Sequence, residues 1–391
     1  MGAHVLIGFA EALPAPEVVF SLLDAGHRVS AFARSDRLPL SRLPLDGLHI
    51  LPPPEVDAPA TRTALVNLVA EIGVDVVLPL DDAGLWLAHG AGLGDTLIAG
   101  GGAEASAIAL DKTAQVAAAE AAGLSVPPTV AWDGAPGEAP HALPLPAIAK
   151  PGRALFETGG KLDKGDMVYL MTEDDAAALY ASNRQDDGPW LIQPLIAGRG
   201  EGVFGTVATD GTVAGWAGHR RVRMMNPHGS GASACESLAP DETLKGHVTG
   251  FLTRIGWRGP FMVEMLRAAD GTAWFMELNG RMWGSMALAR RQGFEYPAWS
   301  VAQALDPDFV PDAPEVRPLV VRHLGRDLLH LAFTARGPKS AFHRDGWPSL
   351  MKSLPAVLRP GQGAGFYNHD PAHPRYFLHD ALWTVRKTLA R

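Results

Sequence analysis

The chain has 391 residues, 47% of them hydrophobic and 19% charged, with a net charge of −8, which is ordinary for a folded protein but too long for one simple core. Its single cysteine, Cys235, excludes an internal disulfide and a cysteine-based zinc site and suits a reducing compartment. No apolar run reaches the roughly 18 residues of a membrane span, and the opening MGAHVLIGFAEALPAP lacks the basic start of a signal peptide, so a cytoplasmic location is expected.

The N-terminal segment HVLIGFA…EVVFSLLDAGHRVSAFARS predicts strand, helix and strand, with Gly26 as the helix stop. ALVNLVAEIGVDVVLPLDDAGLWLA adds a helix and a strand that ends at the polar pair Asp81-Asp82. This βαβ rhythm implies a parallel sheet with helices on both faces. The stretch after the first strand, GFAEALPA, is not a G-x-G-x-x-G fingerprint, so dinucleotide binding is a weak reading. An Ala-rich helix is expected after Asp111-Lys112, stopping at Gly123, followed by a Pro- and Gly-rich loop to about residue 144. Beyond it, LPAIAKPGRALFETGGKLDKGDMVYLM predicts two strands around a flexible Gly- and Lys-containing loop. PWLIQPLIAGRGEGVFGTVATDGTVAGWAGHRRVRMM predicts a set of short strands. The tail after about 316 carries helical patches and, from Arg317 onward, 12 Lys/Arg against 4 Asp/Glu. That charge could serve an anionic partner or the acidic body of the chain itself.

The most informative stretch is FMVEMLRAADGTAWFMELNGRMWGS, residues 261–285. Asp-Gly between apolar runs is a strong two-residue hairpin signal. With Asp270-Gly271 as the turn, Ala269 lies opposite Thr272, and counting outward sets Glu264 opposite Glu277. Strand alternation groups Glu277, Asn279 and Arg281 on one face, with Met276 and Leu278 on the other. Directly opposed carboxylates are destabilising unless a cation lies between them. A set of oxygen donors without His or Cys points to Mg²⁺, with Mn²⁺ as the alternative, and leaves coordination positions for water and phosphate oxygens. A glycosidase also needs two carboxylates, but across a substrate gap of at least ~5 Å, which suits ladder neighbours less well.

If the metal carries a nucleotide, Lys112 and Lys150 are candidates for its phosphates, although either alone reads as a surface residue. FETGGKL (156–162) could cover phosphates through backbone N–H groups. QPLIAGRGEG offers Gln193 and the backbone at Leu195 for an adenine edge and Glu201 for ribose hydroxyls. In HRRVRMMNPHGSGASACES, Arg221 and Arg223 share a strand face with His219 in phase, and a small-residue loop follows; His219 and His228 are weak candidates. Arginines beside backbone donors suit carboxylate and phosphate oxygens.

Taken together and in this order, LDKTAQVAAAEAAGLSVPPT, PAIAKPGR, LIQPLIAGRGEGVFG, HRRVR…HGSGAS and FMVEM…WFMELNGRMWGS resemble the ATP-grasp enzymes, in particular their carboxylate–amine ligase-like branch, over residues 1 to about 305. The resemblance implies a mixed α/β and α+β architecture. A Rossmann-like pre-ATP-grasp domain (1–105) would precede a two-subdomain ATP-grasp fold (106–315, with a smaller lid at about 126–195) and a basic, helical C-terminal extension (316–391). It implies ATP and Mg²⁺ as cofactors, Lys112 and Lys150 as phosphate ligands, Gln193 and Leu195 at the adenine, and Glu201 at the ribose. It further implies Glu264, Glu277 and Asn279 as metal ligands and Arg281 as the substrate- and intermediate-binding arginine. The Arg-rich strand is typical, and the sequence leaves open which of Arg220, Arg221 and Arg223 meets phosphate or substrate. Pro194 departs from the family pattern, removing a side-chain contact and one backbone donor at the hinge.

The implied reaction is amide formation between a small-molecule carboxylate and an amine through an acyl phosphate, releasing ADP and phosphate. Chemistry on bicarbonate or a purine-type substrate, or a nucleotide-binding module without turnover, are the competing readings. No nucleic-acid partner and no membrane span are expected, with a homodimer as one option for assembly.

Overall fold

The computed structural model describes residues 2–140, 143–227, 229, 231–338, 346–359 and 364–389; His228 and Ser230 of the small-residue loop lie outside the described residues. The N-terminal third alternates strand and helix as the sequence predicts. Its strands are β1 (His4–Gly8), β2 (Arg28–Ala33), β3 (Gly47–Ile50), β4 (Val76–Pro79) and β5 (Leu97–Ile98), and its helices are α1 (Ala15–Asp24), α2 (Ala58–Ile72) and α3 (Asp82–Gly90). The sheet is wholly parallel in the order β3-β2-β1-β4-β5. Because β1 is central and covered on both faces, all five of its residues are buried, and its sequence is an apolar run rather than an alternation. Gly26 follows α1 with φ 80°, a left-handed conformation that ends the helix without a Cβ clash. Asp81 caps α3, its Oδ1 accepting the Gly84 N–H at 2.7 Å, so Asp82 stands at the first helical position.

Helices α4 (Ala103–Ala109) and α5 (Lys112–Ala121) lead into a four-stranded antiparallel sheet ordered β10-β7-β11-β6. Its strands are β6 (Val130–Trp132), β7 (Ala147–Pro151), β10 (Val168–Leu170) and β11 (Trp190–Pro194), with the hairpin β8 (Phe156–Thr158) and β9 (Lys161–Asp163) projecting from it. Ala147, Ala149, Trp190 and Ile192 pack with Leu179 and Tyr180 of α6 (Glu173–Ala181). By alternation and register, Ile148, Lys150, Leu191 and Gln193 share the opposite face.

The largest sheet has seven strands in the order β16-β15-β12-β13-β14-β17-β18. They are β12 (Arg199–Val207), β13 (Val213–Met224), β14 (Ala232–Leu238), β15 (Gly259–Arg267), β16 (Ala273–Asn279), β17 (Val320–Arg322) and β18 (Gly365–Phe366). One face buries Val203, Val263, Met265, Phe275 and Leu278 against Ala119 of α5 and Val248 and Phe251 of α7 (Glu242–Arg254). From the other, Phe204, Ala217 and Met262 join Val5, Phe20 and Leu78 of the first sheet in a common core. The short helices α8 (Met286–Arg290) and α9 (Tyr296–Leu305) fill that junction, where Tyr296 is fully buried.

The segment beyond 316 is helical, as expected, in α10 (Leu324–Arg336), α11 (Leu350–Leu358) and α12 (Pro374–Leu389). It also supplies β17, antiparallel to β14, and β18, so it completes the large sheet rather than hanging from it. Its anchor is an ion pair in which Arg223 of β13 meets Asp327 at 2.5 Å, the aspartate side chain being 1% exposed. No helix of the described residues is long and apolar enough to cross a membrane. Removing one partner of a buried pair leaves an uncompensated charge. Asp327→Ala should therefore lower the urea-unfolding free energy by about 3 kcal/mol, and a loss under about 0.5 kcal/mol would mean the tail is held by other contacts.

Candidate active site

The hairpin at 261–285 reaches the predicted pairing by an unpredicted route. Its loop has three residues, not two: Ala268 N–H donates to Thr272 O (2.9 Å), Gly271 N–H donates to Ala268 O (3.0 Å), and Gly271 has φ 91°. Near the turn the register is therefore offset by one from the sequence expectation, with Met265 opposite Phe275. The ladder then shifts between Glu264 and Met265, leaving Met276 as the extra residue, and Glu264 faces Glu277 while Met262 faces Asn279. The two offsets cancel. The bulge also lets Phe275 and Leu278, three residues apart, both enter the core under α5 and α7, while Glu277 and Asn279 line the cavity.

Cations close around these acids. Arg221 Nη2 lies 2.5 Å from Glu264 Oε1, and Lys112 Nζ lies 3.6 Å from Glu277 Oε2. Lys112 opens α5, which Asp111 caps through the Ala114 N–H at 2.9 Å. Its backbone N–H donates to Gly152 O at 2.6 Å, tying the helix start to the strand end that carries Lys150. Gln115, one turn on, bridges α5 to β16: its amide nitrogen donates to Ala109 O (2.6 Å) and its oxygen accepts the Leu278 N–H (2.7 Å). Burial, reinforced by the charge of Lys112 and opposed by Glu277 and Glu264, draws the Lys150 ammonium down to about 8. Burial pushes the Glu264 carboxyl above its usual range; Arg221 opposes this and Glu277 adds to it.

A cavity of about 340 Å³ opens on this surface, lined by Glu264, Glu277, Asn279, Arg221 and Arg281. Arg281 is held by Asp82 at the start of α3 (Nε–Oδ1 3.1 Å). Glycines in β12 make room for the cavity wall: a Cβ on Gly200 would lie 2.6 Å from Arg221 Cδ, and one on Gly202 2.5 Å from His219 Cε1. His219, buried at 4% exposure, shares a 2.8 Å hydrogen bond with Ser285.

Of the residues the sequence singles out, the structure brings together Lys112, Lys150, Arg221, Glu264, Glu277, Asn279 and Arg281. Others lie elsewhere. Arg223 is turned to Asp327 and the Ala356 carbonyl, so it anchors the tail. Glu201 also lies apart from this cavity. It faces away from the cavity, 1% exposed, with Arg220 Nε at 2.8 Å and Arg267 Nε at 3.0 Å, because β12 alternation puts it opposite in sense to Gly202, the partner of Glu264. The Leu195 N–H, offered to adenine in the sequence reading, donates to Pro146 O at 2.8 Å, extending the β7–β11 ladder past Pro194. Gln193 is on the face of β11 that matches Lys150, but its amide nitrogen donates to Thr129 Oγ1 (2.8 Å). The Gly159-Gly160 hairpin is pinned to the first lobe, through Arg62–Glu157 (2.5 Å) and the Ala58 N–H to Gly160 O (2.8 Å). Lys164, just beyond it, lines the cavity.

Sequence reasoning missed Asp82 as a partner, Gln115, Lys164, and the tail residues Arg326 and Tyr367 that line the same cavity. Asp82 was visible as half of a polar pair at a strand end, the usual place for a site in an α/β sheet. The tail residues carried no such signal.

No protein-family model and no curated protein matches this sequence. Solved structures do match. The L-amino acid ligase from Bacillus licheniformis aligns with a TM-score of 0.62 at 18% identity, over 78% of this chain and 75% of that one. The N5-carboxyaminoimidazole synthetase from Staphylococcus aureus gives 0.63 at 16%, over 84% of each chain. Biotin carboxylase from Campylobacter jejuni gives 0.61 at 18%, over 79% of this chain and 72% of that one. The chain shares the fold of these enzymes, which is the architecture that the resemblance of the sequence implies.

The cavity wall carries a pH signature. Burial, with the Arg221 charge adding to it, draws His219 down to about 3. Between about pH 6.5 and 3 the unfolded histidine binds a proton that the folded one refuses, so stability present above pH 6.5 is lost as pH falls. Chemical-denaturation curves should show the wild type losing up to about 1.4 kcal/mol per pH unit more than His219→Gln across the upper part of that window. Parallel slopes for the two proteins would show that His219 is protonated normally.

Proposed function

We propose that the chain is an ATP-dependent ligase that joins a carboxylate to an amine through an acyl phosphate, with release of ADP and phosphate. The observation that carries this reading is the cavity wall on which Glu264 and Glu277 face each other beside Asn279, Arg221 and Arg281, with Lys112 3.6 Å from Glu277 and Lys150 on the neighbouring sheet near enough for the glutamates to favour its charge. The ATP-grasp fold supports it.

The donor set fits a hard divalent cation. Two carboxylates at neighbouring ladder positions, one of them pushed toward protonation, gain from a cation between them. Among the described residues no group of three His, Cys, Asp or Glu converges; Glu264, Glu277 and Asn279 offer two carboxylates and an amide oxygen, and they would hold Mg²⁺ while leaving positions for water and phosphate oxygens. Bound there, the ion would supply charge neutralisation for the β- and γ-phosphates. Lys112 and Lys150 would meet phosphate oxygens, whose charge would draw Lys150 back to its full positive charge. With the Leu195 N–H engaged and Glu201 on the far face, Gln193 is the residue left at the hinge for the base.

A carboxylate oxygen of the substrate attacks the γ-phosphorus, and the bridging oxygen leaves with ADP. The amine nitrogen then attacks the acyl carbon, the carbon–oxygen bond to phosphate breaks, and the amine proton is lost. Arg281, oriented by Asp82, would hold the negative oxygens of the acyl phosphate and of the tetrahedral intermediate. Positioning and electrostatics do the work, and no side-chain nucleophile is required. Cys235 fits none of these roles, since burial pushes its thiol up to about 11.

Purified protein incubated with ATP, Mg²⁺ and pooled carboxylates and amines should release ADP and phosphate only when a correct pair is present. Turnover on bicarbonate without an amine would favour the carboxylating alternative, and nucleotide binding without turnover on any pair would favour a non-catalytic module. Glu277→Gln should reduce turnover by at least about a hundredfold with an unchanged circular-dichroism spectrum; normal turnover would show the metal assignment to be wrong.

A further inference from the structure

A second cavity, of about 180 Å³, lies where the loop after β1, the segment around Leu38–Leu40 and helix α12 meet. Leu13, Pro16, Leu38, Leu40, Tyr376 and Trp383 supply its apolar lining. Leu13 and Arg326 line both this cavity and the polar one that holds Glu264 and Glu277, so the two adjoin at those side chains.

Arg326 is the unusual group there. Its Nη1 donates to Ala232 O at 3.0 Å, while its buried Nε has no hydrogen-bond partner and the guanidinium forms no ion pair among the described residues. The acids of the second cavity are at least partly engaged, although Glu11 Oε2 has no hydrogen-bond partner. Glu11 accepts the Arg34 N–H (2.6 Å), and Asp380 accepts from Asn368 (2.8 Å) and lies 3.2 Å from His323. The guanidinium is half-buried, and Nη2 is the nitrogen left accessible and without a hydrogen bond among the described residues, so a carboxylate oxygen in the cavity can accept from it. The same charge repels an ammonium group, which argues against the amine substrate at this point.

We propose that the carboxylate substrate carries a bulky apolar group, with its carboxylate in the polar cavity against Arg326 and its apolar group in the second cavity. This rests on the ligase reading and names the acid's chemical class. The cavity, which Glu11, Asp380 and Lys387 also line, is about the size of the ~150 Å³ that takes up a benzene molecule in a protein interior, so a branched aliphatic group or a single ring fits against its apolar side. Arg326 and Trp383 both belong to the tail, so the segment beyond 316 would select the acid together with Leu13, Pro16, Leu38 and Leu40 of the N-terminal lobe.

The test is a set of equilibrium titrations, without amine, of wild type, Arg326→Gln and Thr384→Phe. Thr384 lines the apolar cavity from α12, and a phenyl group there fills it. The probes are acetate, 3-phenylpropanoate and 3-phenylpropan-1-ol, with MgADP titrated separately. Wild type should bind 3-phenylpropanoate at least about tenfold more tightly than acetate and than the alcohol. Arg326→Gln should lose about tenfold or more for the acid and little for the alcohol. Thr384→Phe should lose affinity for 3-phenylpropanoate but not for acetate, and should keep the wild-type MgADP affinity. Equal binding of 3-phenylpropanoate by all three proteins, or no preference over acetate and the alcohol, overturns the proposal. Failure of the wild type to bind MgADP instead overturns the ligase reading, whatever the acids do.

Discussion

Two carboxylates facing each other across an antiparallel ladder set the terms for the rest of this molecule. Glu264 and Glu277 occupy directly paired positions on β15 and β16. Like charges ~5 Å apart repel by about 3 kcal/mol at the effective dielectric of a partly buried site, so the arrangement persists only with compensating cations. Arg221 supplies one across the sheet, and Lys112 supplies another from the start of α5. Lys150 arrives from a separate sheet, its charge opposed by burial and by Lys112 and favoured by the two glutamates. The same electrostatics that would destabilise an empty site would favour a cation carrying a polyanion, as the proposed function requires.

Local structure serves that pairing in ways that cross domain boundaries. The Met276 bulge turns the glutamate to the cavity while its neighbours stay in the core. Gly200 and Gly202 leave space for Arg221 and His219 to lie across β12. Gln115 fixes α5 to the strand that bears Glu277 and Asn279. From the first lobe, Asp82 orients Arg281; from the tail, Arg326 and Tyr367 reach the same cavity. The tail's two strands extend the sheet that holds the acids, so the far end of the chain is part of the site's wall.

Much of this was legible in the sequence because it depends on local pattern. The βαβ rhythm, the Gly26 stop and the start of α5 after Asp111 follow from periodicity and capping. The pairing of Glu264 with Glu277 was also legible, although a three-residue turn and a bulge each moved the register by one, in opposite senses. What resisted sequence reading depends on long-range packing. Arg220, Arg221 and Arg223 are nearly adjacent, yet one pairs on the far face with Glu201, one meets Glu264, and one holds the tail. The partners that sort them lie 19, 43 and 104 residues away. Glu201 read as a ribose ligand because its motif position suggested it; the parity of β12 against β15 puts it on the opposite face. Arg326 had no motif at all, and only its position between two cavities gives it meaning.

The central claim, that the opposed glutamates form a metal site for a nucleotide, is tested most directly by ADP titrations with and without Mg²⁺. In the wild type, Mg²⁺ should tighten ADP binding by at least about tenfold, and in Glu264→Gln/Glu277→Gln that enhancement should vanish while metal-free ADP binding is kept or strengthened. An equal Mg²⁺ enhancement in the two proteins, or none in the wild type, would contradict it.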